Sequence, residues 1–240
     1  MLIIRSIAFN ILFYLNTWVY LVIAVPAFFM PYRAVVWVAK SWGRTNLKLL
    51  RVAGIKFEVR GGEKIPKGAL LVAAKHQSAW ETFALQTLFD NPLFILKREL
   101  LWIPFFGWLL WKGRMVAIDR RAGSRALSDM TARACEELAD GRQLIIFPEG
   151  TRRPAGAEPK YKFGVAHLYE AAGVTCLPVA LNSGVFWPRR SILRYPGTVV
   201  IEVLDLIPPG LDKSEFFARL QDTIETATAR LVAEAQRGLT

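Results

Sequence analysis

The stretch AAKHQSAWET, residues 73–82, places one of the chain's two histidines, His76, five positions before Glu81. A neutral imidazole in a turn is suited to take a proton from an attacking group. A carboxylate on its other ring nitrogen would fix the tautomer and stabilise the cation that forms. Glu81 is placed to be that carboxylate. Ser78-Ala-Trp-Glu81 also spells a capping box, in which Glu81 would tie back to the Ser78 amide. Spacing alone leaves both readings open, as alternatives. The other histidine, His167, falls within a helical run and reads as structural.

Three more stretches carry chemistry-bearing residues at the ends of apolar runs. LIIFPEGTRR, 144–153, delivers Glu149, Gly150, Thr151, Arg152 and Arg153 into a turn, and its guanidinium groups are suited to grip phosphate. KGRMVAIDRR, 112–121, puts Asp119 and two arginines after another apolar run. CLPVALNSG, 176–184, holds Pro178 inside such a run, which predicts an edge strand or a bulge lining a pocket.

Positioning these groups requires strands that end at one edge. Short apolar runs predict strands beginning at Ile55, Ala69, Leu93, Met115, Leu144, Thr175 and Thr198. Helical patterns are predicted over Trp80–Phe89, Ser124–Asp140, Val165–Ala172 and about Ser214–Gln236, with Gly141 and Gly173 as C-caps and DKSE as an N-terminal signal. The alternation argues an α/β fold with a mixed, mainly parallel sheet flanked by helices, over residues 54–240. His76 would then lie in the turn after a strand, at the sheet edge where ligands bind in open α/β folds.

Residues 1–53 read differently. No charged side chain lies between Arg5 and Arg33. A helix from Leu2 to Val25 would be about 36 Å long, enough to cross a hydrocarbon core of roughly 30 Å. It is too long for a signal-peptide apolar region and reads as retained. Pro26 and Pro31 are expected to break it. The next segment is basic and amphipathic, with Val35, Val38, Trp42, Leu49 and Val52 on one side. The first helix either spans a membrane or forms, with the second, a hairpin dipping into one leaflet. A buried helix pair in a soluble protein is the remaining reading.

The net charge of +11 attracts polyanions. Beside so apolar a start, membrane phosphate fits better than nucleic acid, for which no recognition pattern stands out. Cys135 and Cys176, with two histidines, make no zinc spacing, so no metal site is expected.

The four stretches together resemble the glycerolipid acyltransferase family, in its 1-acylglycerol-3-phosphate acyltransferase branch. The family pattern HxxxxD, a block ending in a basic residue, FPEGTR, and an apolar block with a central proline correspond in order to His76–Glu81, Gly113–Arg120, Phe147–Arg152 and Leu177–Ala180. The resemblance covers about residues 50–210, and position 81 departs from it by carrying Glu. It implies that His76 deprotonates the free hydroxyl of a lysophospholipid, which attacks an acyl-CoA or acyl carrier protein thioester directly, and that Glu81 orients His76. It implies that Glu149 and Gly150 help position the glycerol moiety, with Thr151 also among the substrate-binding residues. Lys97, Arg120 and Arg152 would hold the phosphate, and Pro178 would shape an apolar wall. No cofactor beyond the acyl donor is implied. The expected partners are membrane lipids, the lysophospholipid acceptor and the acyl donor, and the expected place is the cytoplasmic face of the inner membrane, anchored through residues 1–53. Two other readings stand beside this one: an acyltransferase for another acceptor such as a lyso-ornithine lipid, and a non-enzymatic basic protein of the membrane surface.

Overall fold

The computed structural model describes residues 1–119 and 123–238. Its first element, α1 (Leu2–Phe28), runs through Pro26. The expected break at Pro26 does not occur. A proline in the last turn deletes a single i→i−4 bond, and the helix closes beyond it through bonds from the Phe29 and Met30 amides to the Pro26 and Ala27 carbonyls, each 3.1 Å. Pro31 is the N-cap of α2 (Tyr32–Leu49). The chain then tightens into a 3-10 turn at Leu50–Ala53. The change of pitch turns Val52, expected on the apolar side, out to 37% exposure.

Among the described residues α1 alone is long and apolar enough to cross a membrane, and only 11% of its most apolar window is buried. It is therefore not a buried core helix. Its inner face supplies Phe9 and Phe13, which meet Trp187, Trp42 and Phe83. Tyr14, Trp18, Val22 and Phe29 are left exposed.

All seven expected strands form: β1 (Ile55–Arg60), β2 (Leu70–Ala74), β3 (Pro92–Lys97), β4 (Val116–Ile118), β5 (Gln143–Ile146), β6 (Cys176–Leu181) and β7 (Gly197–Val203). They make one mixed sheet of order β1-β7-β6-β2-β5-β3-β4. Every pairing is parallel except β6 with β7. The helices between and after them are α3 (Trp80–Ala84), α4 (Phe106–Lys112), α5 (Gly123–Ala139), α6 (Gly164–Ala172), α7 (Ser183–Phe186) and α8 (Lys213–Arg237).

The strand alternation divides the core in two. Leu70, Val72 and Ala74 face Phe9, Leu50, Trp80 and Phe83 on one side of the sheet. Leu71 and Ala73 face Met130, Leu168, Phe216 and Leu220 of α5, α6 and α8 on the other. Phe9 and Leu50 thus share a core with the sheet. β2 lies at the centre, between β5 and β6 and parallel to both. These three neighbours end at the same edge, delivering KHQS, FPEG and NSG side by side. From β2 the chain passes to β3 and β4 on one side, and after β5 it crosses back over β2 to β6 on the other, the switch-point geometry that opens a crevice at the strand ends.

Pro178 is neither on an edge strand nor at a pocket wall. It lies fully inside the sheet, opposite Ala73 of β2. The bulge expected with it is present on the opposing chain. Val179 pairs with Val203, whereas Cys176 bridges to Ile207, so three residues face two. The Pro178 carbonyl accepts from the Leu204 amide at 3.0 Å, so its nitrogen, which has no hydrogen to donate, faces the widened stretch.

Candidate active site

β2 holds β6 for one residue beyond its end, through the Lys75 amide on the Val179 carbonyl at 3.0 Å. The chain then turns at His76–Ala79 into α3, whose first turn carries Glu81 with no exposure. One carboxylate oxygen, Oε1, accepts the Gln77 and Ser78 amides at 2.6 and 2.7 Å and meets His76 Nδ1 at 3.0 Å. The other, Oε2, accepts the Ser183 hydroxyl at 2.8 Å. The two alternatives for Glu81 therefore coexist: it closes the turn and holds the imidazole with the same oxygen. The extra methylene at this position does not prevent contact.

The FPEGTR segment grips the same turn from the β5 side. The Phe147 ring stacks on the His76 ring at 3.9 Å and 14°. Glu149 Oε2 accepts the His76 amide at 2.9 Å, and the His76 carbonyl accepts the Arg153 amide at 2.8 Å. Gly150 makes the bend at φ 64°, with its amide on the Phe147 carbonyl at 2.8 Å, a conformation glycine adopts without a steric penalty. Ring, amide and carbonyl of His76 are thus all fixed. Nδ1 is committed to Glu81, so Nε2 is the ring nitrogen left for proton transfer.

Glu149 is turned inward. Its side chain is fully buried, and Oε1 receives Lys75 Nζ at 3.0 Å. Lys75, itself 2% exposed, also reaches Glu225 of α8 at 2.7 Å. Burial pushes the Glu149 carboxyl above the ordinary carboxylate range, against the opposing pull of Lys75 and the His76 amide. Its contacts make it a strut for the His76 backbone.

His76 opens on a cavity of about 1000 Å³ that reaches between the sheet edge, α4, α5 and the first two helices. Gly150, Thr151, Arg152 and Lys97 line it, as do Lys162, Arg189 and Arg190. Five basic residues and, among the described residues, no acidic one border this space. Most of the remaining wall is apolar, including Phe94, Leu100, Leu109 and Met130, with Thr17, Thr82 and Gln86 as polar members. Arg189 donates to the Arg152 carbonyl at 3.0 Å, which ties the two basic loops together.

The residues singled out in the sequence separate into four groups. His76, Lys97, Gly150, Thr151 and Arg152 reach the cavity. Glu81 and Glu149 stand behind it. Pro178 is a sheet residue, and Arg120 lies outside the described residues. Lys75, Ser183, Glu225, Lys162, Arg189 and Arg190 join the site without having been singled out, although Ser183 lies in a quoted motif and Arg189–Arg190 form a visible basic pair.

The acyltransferase family matches residues 56–182, which span every one of the clustered motifs. The chain belongs to the acyltransferase family. A 1-acyl-sn-glycerol-3-phosphate acyltransferase of Pseudomonas aeruginosa is 39% identical over 207 residues, 85% of this chain and 80% of that protein. The mouse 1-acyl-sn-glycerol-3-phosphate acyltransferase alpha is 32% identical over 171 residues, and the match spans 60% of its length. The crystal structure of the 1-acyl-sn-glycerophosphate (LPA) acyltransferase PlsC from Thermotoga maritima superposes with a TM-score of 0.81 at 24% identity, covering 96% of this chain and 98% of that one, and so shares its fold. As an acyltransferase the chain is an enzyme, which sets aside the purely membrane-binding reading.

The Gln77 and Ser78 amides, which precede α3, are taken by Glu81 and so are not free to bind an oxyanion. α3 contributes by orienting the histidine.

Proposed function

We propose that this acyltransferase moves an acyl group from an acyl-CoA or acyl carrier protein thioester to the free hydroxyl of 1-acylglycerol 3-phosphate, giving phosphatidate. The observation that carries the reading is the juxtaposition of His76 with a cavity rimmed by five basic residues and no acid among the described residues. An anionic phosphate finds bidentate donors there. A lyso-ornithine head carries an ammonium beside its carboxylate, and that ammonium would meet only like charge there. The relatives' names point to the same acceptor.

In the reaction, Nε2 of His76 accepts the hydroxyl proton as the acceptor oxygen bonds to the thioester carbonyl carbon. Glu81 holds Nδ1–H and stabilises the imidazolium. The tetrahedral adduct collapses, the carbon–sulfur bond breaks, and the departing sulfur takes the proton from His76. The thioester supplies its own leaving group, so the scheme needs no further cofactor. The exposed apolar face of α1 suits residence in the membrane that holds acceptor and product, with the catalytic unit on the cytoplasmic side where thioester donors are made.

The test is mass spectrometry of products after purified protein meets mixed acyl donors and mixed lyso-lipids. Phosphatidate from lysophosphatidate is expected from the wild type and absent from His76→Ala, with folding and vesicle binding unchanged. Near-normal turnover by His76→Ala would remove the base, and no turnover of lysophosphatidate beside turnover of another acceptor would change the substrate.

A further inference from the structure

Between Lys97–Arg98–Glu99 and Lys112 runs a stretch of twelve residues without charge, LLWIPFFGWLLW, residues 100–111. It forms the end of a 3-10 turn, a tight bend and α4. Its two faces differ in what they meet. Leu100, Phe106, Leu109 and Leu110 line the catalytic cavity. Trp102, Phe105, Trp108 and Trp111 point the other way and are 65%, 60%, 54% and 67% exposed. So much contiguous aromatic surface is uncommon on a protein bathed in water.

The shape is built rather than slack. Phe105 sits at φ 61°, a region that bulky side chains rarely enter. Gly107 lies so close beneath Leu101 that a Cβ there would fall 2.1 Å from the Leu101 carbonyl oxygen. The bend therefore holds its aromatic side chains outward at a backbone cost, with the Phe105 and Trp108 rings 5.0 Å apart.

The outward face continues the exposed face of α1. Leu109 packs with Ala24, Ala27, Val35 and Val38, where α4 meets α1 and α2. Lys112 Nζ lies 5.8 Å from the Phe28 ring centroid, and Phe29 and Met30, next in sequence, are 83% and 53% exposed. Lys97, Arg98 and Lys112 flank the apolar run beside Glu99; Arg98 pairs with Asp119 at 2.9 Å and lies over the Trp102 ring. Tryptophans bordered by lysine and arginine are the composition of segments that sit at the headgroup boundary.

We propose that residues 100–111 are a second bilayer-inserting element, separate from the first two helices, and form the sill over which a lipid acceptor passes from the leaflet into the cavity. The occupant is an anionic lipid surface. The passage rests on the acceptor proposed above; the insertion does not.

The experiment uses the full chain on vesicles of phosphatidylglycerol and phosphatidylcholine, with brominated acyl chains in one set. Tryptophan emission of wild type minus that of Trp108→Phe/Trp111→Phe isolates the two side chains. Bromine should quench this difference emission, and aqueous acrylamide should not. Emission quenched by acrylamide and untouched by bromine would overturn the insertion. So would a dimer in detergent that Trp108→Asp/Trp111→Asp dissolves, since the face would then belong to a second copy. In the kinetic arm, the Asp pair should raise the apparent KM for long-chain lysophosphatidate in vesicles about tenfold, the scale of one large apolar side chain lost from lipid. Turnover of a water-soluble short-chain acceptor should hold. Equal losses on both acceptors would overturn the sill. A wild type that turns over neither acceptor would refute the proposed substrate, while the quenching would still decide the insertion.

Discussion

Replacing Glu81 with glutamine keeps the side chain's length and keeps an oxygen where three donors converge, but it removes the charge. The amide oxygen can still accept from the Gln77 and Ser78 amides and from His76 Nδ1, now 2.6, 2.7 and 3.0 Å from Oε1. The amide nitrogen would face Ser183, whose hydroxyl can rotate to accept instead of donate. The turn should therefore survive, with little change in melting temperature. What is lost is the attraction between carboxylate and imidazolium once His76 has taken its proton. Their charge centres are about 4 Å apart, and at the effective dielectric typical of proteins that attraction is about 4 kcal/mol. At about 1.4 kcal/mol per decade of rate, kcat should fall roughly a thousandfold, or about a hundredfold if the proton is only partly transferred in the transition state. KM should hold, because Glu81 does not border the cavity. Initial rates at saturating donor and acceptor, with melting followed by circular dichroism, measure both quantities. A kcat within fivefold of wild type at unchanged melting temperature would show that Glu81 only closes the turn. Joint loss of activity and cooperative melting would also assign it to the turn.

Glu81→Asp withdraws the carboxylate by more than 1 Å from a group of donors set for glutamate, and turnover should drop about a hundredfold; full activity would mean that the backbone of the turn follows the side chain. Ser183→Ala leaves Glu81 Oε2 buried without its donor, a loss of about 1–3 kcal/mol in denaturant unfolding, with Ser183→Thr retaining most of it; equal stability of the two variants would refute the contact. Lys75→Met strands Glu149 and should cost about 3–5 kcal/mol, the usual scale for breaking a buried pair. It should also steepen the pH dependence. Burial holds the Glu149 carboxyl above its ordinary 4.5, so the folded chain keeps a proton that the unfolded chain has released. Stability then falls as pH rises from about 4.5 through the raised folded value. Without Lys75 that value climbs and the window widens upward. Unfolding measured from pH 4.5 to 7 checks it, and identical slopes for variant and wild type would refute it.

The strands were legible because each is a short apolar run closed by glycine, proline or charge, a signal that survives burial on both faces. Their order was not, since it depends on which crossover passes which strand. β7 shows the consequence: its residues read as an ordinary strand, yet it runs against β6 and with β1. α4 was missed because Pro104 and Gly107 break the helical period in a run that is apolar on both sides. In the site, His76 and Glu81 were readable because five residues separate them. Ser183 meets Glu81 across 102 positions, and Lys75 meets Glu225 across 150. Contacts of that span exist only after β6 has settled beside β2 and α8 has covered the sheet.

The glutamate at position 81 follows from the same long-range assembly. A carboxylate in the first turn of α3 must reach back to the amides of 77 and 78 and to the imidazole, all of which converge on Oε1. It must also leave Oε2 with a partner, because a carboxylate oxygen buried without a donor is costly. The nearest strand end on that side is that of β6, and it supplies Ser183 at 2.8 Å. Parallel pairing of β2 with β6, register-locked through Ala73 and Pro178, sets the span that the side chain has to bridge. The length of the side chain at 81 and the serine opposite it are therefore coupled through one hydrogen bond. Pro178, which faces the bulge after β7, sits five residues upstream of that serine and helps fix where the strand delivers it.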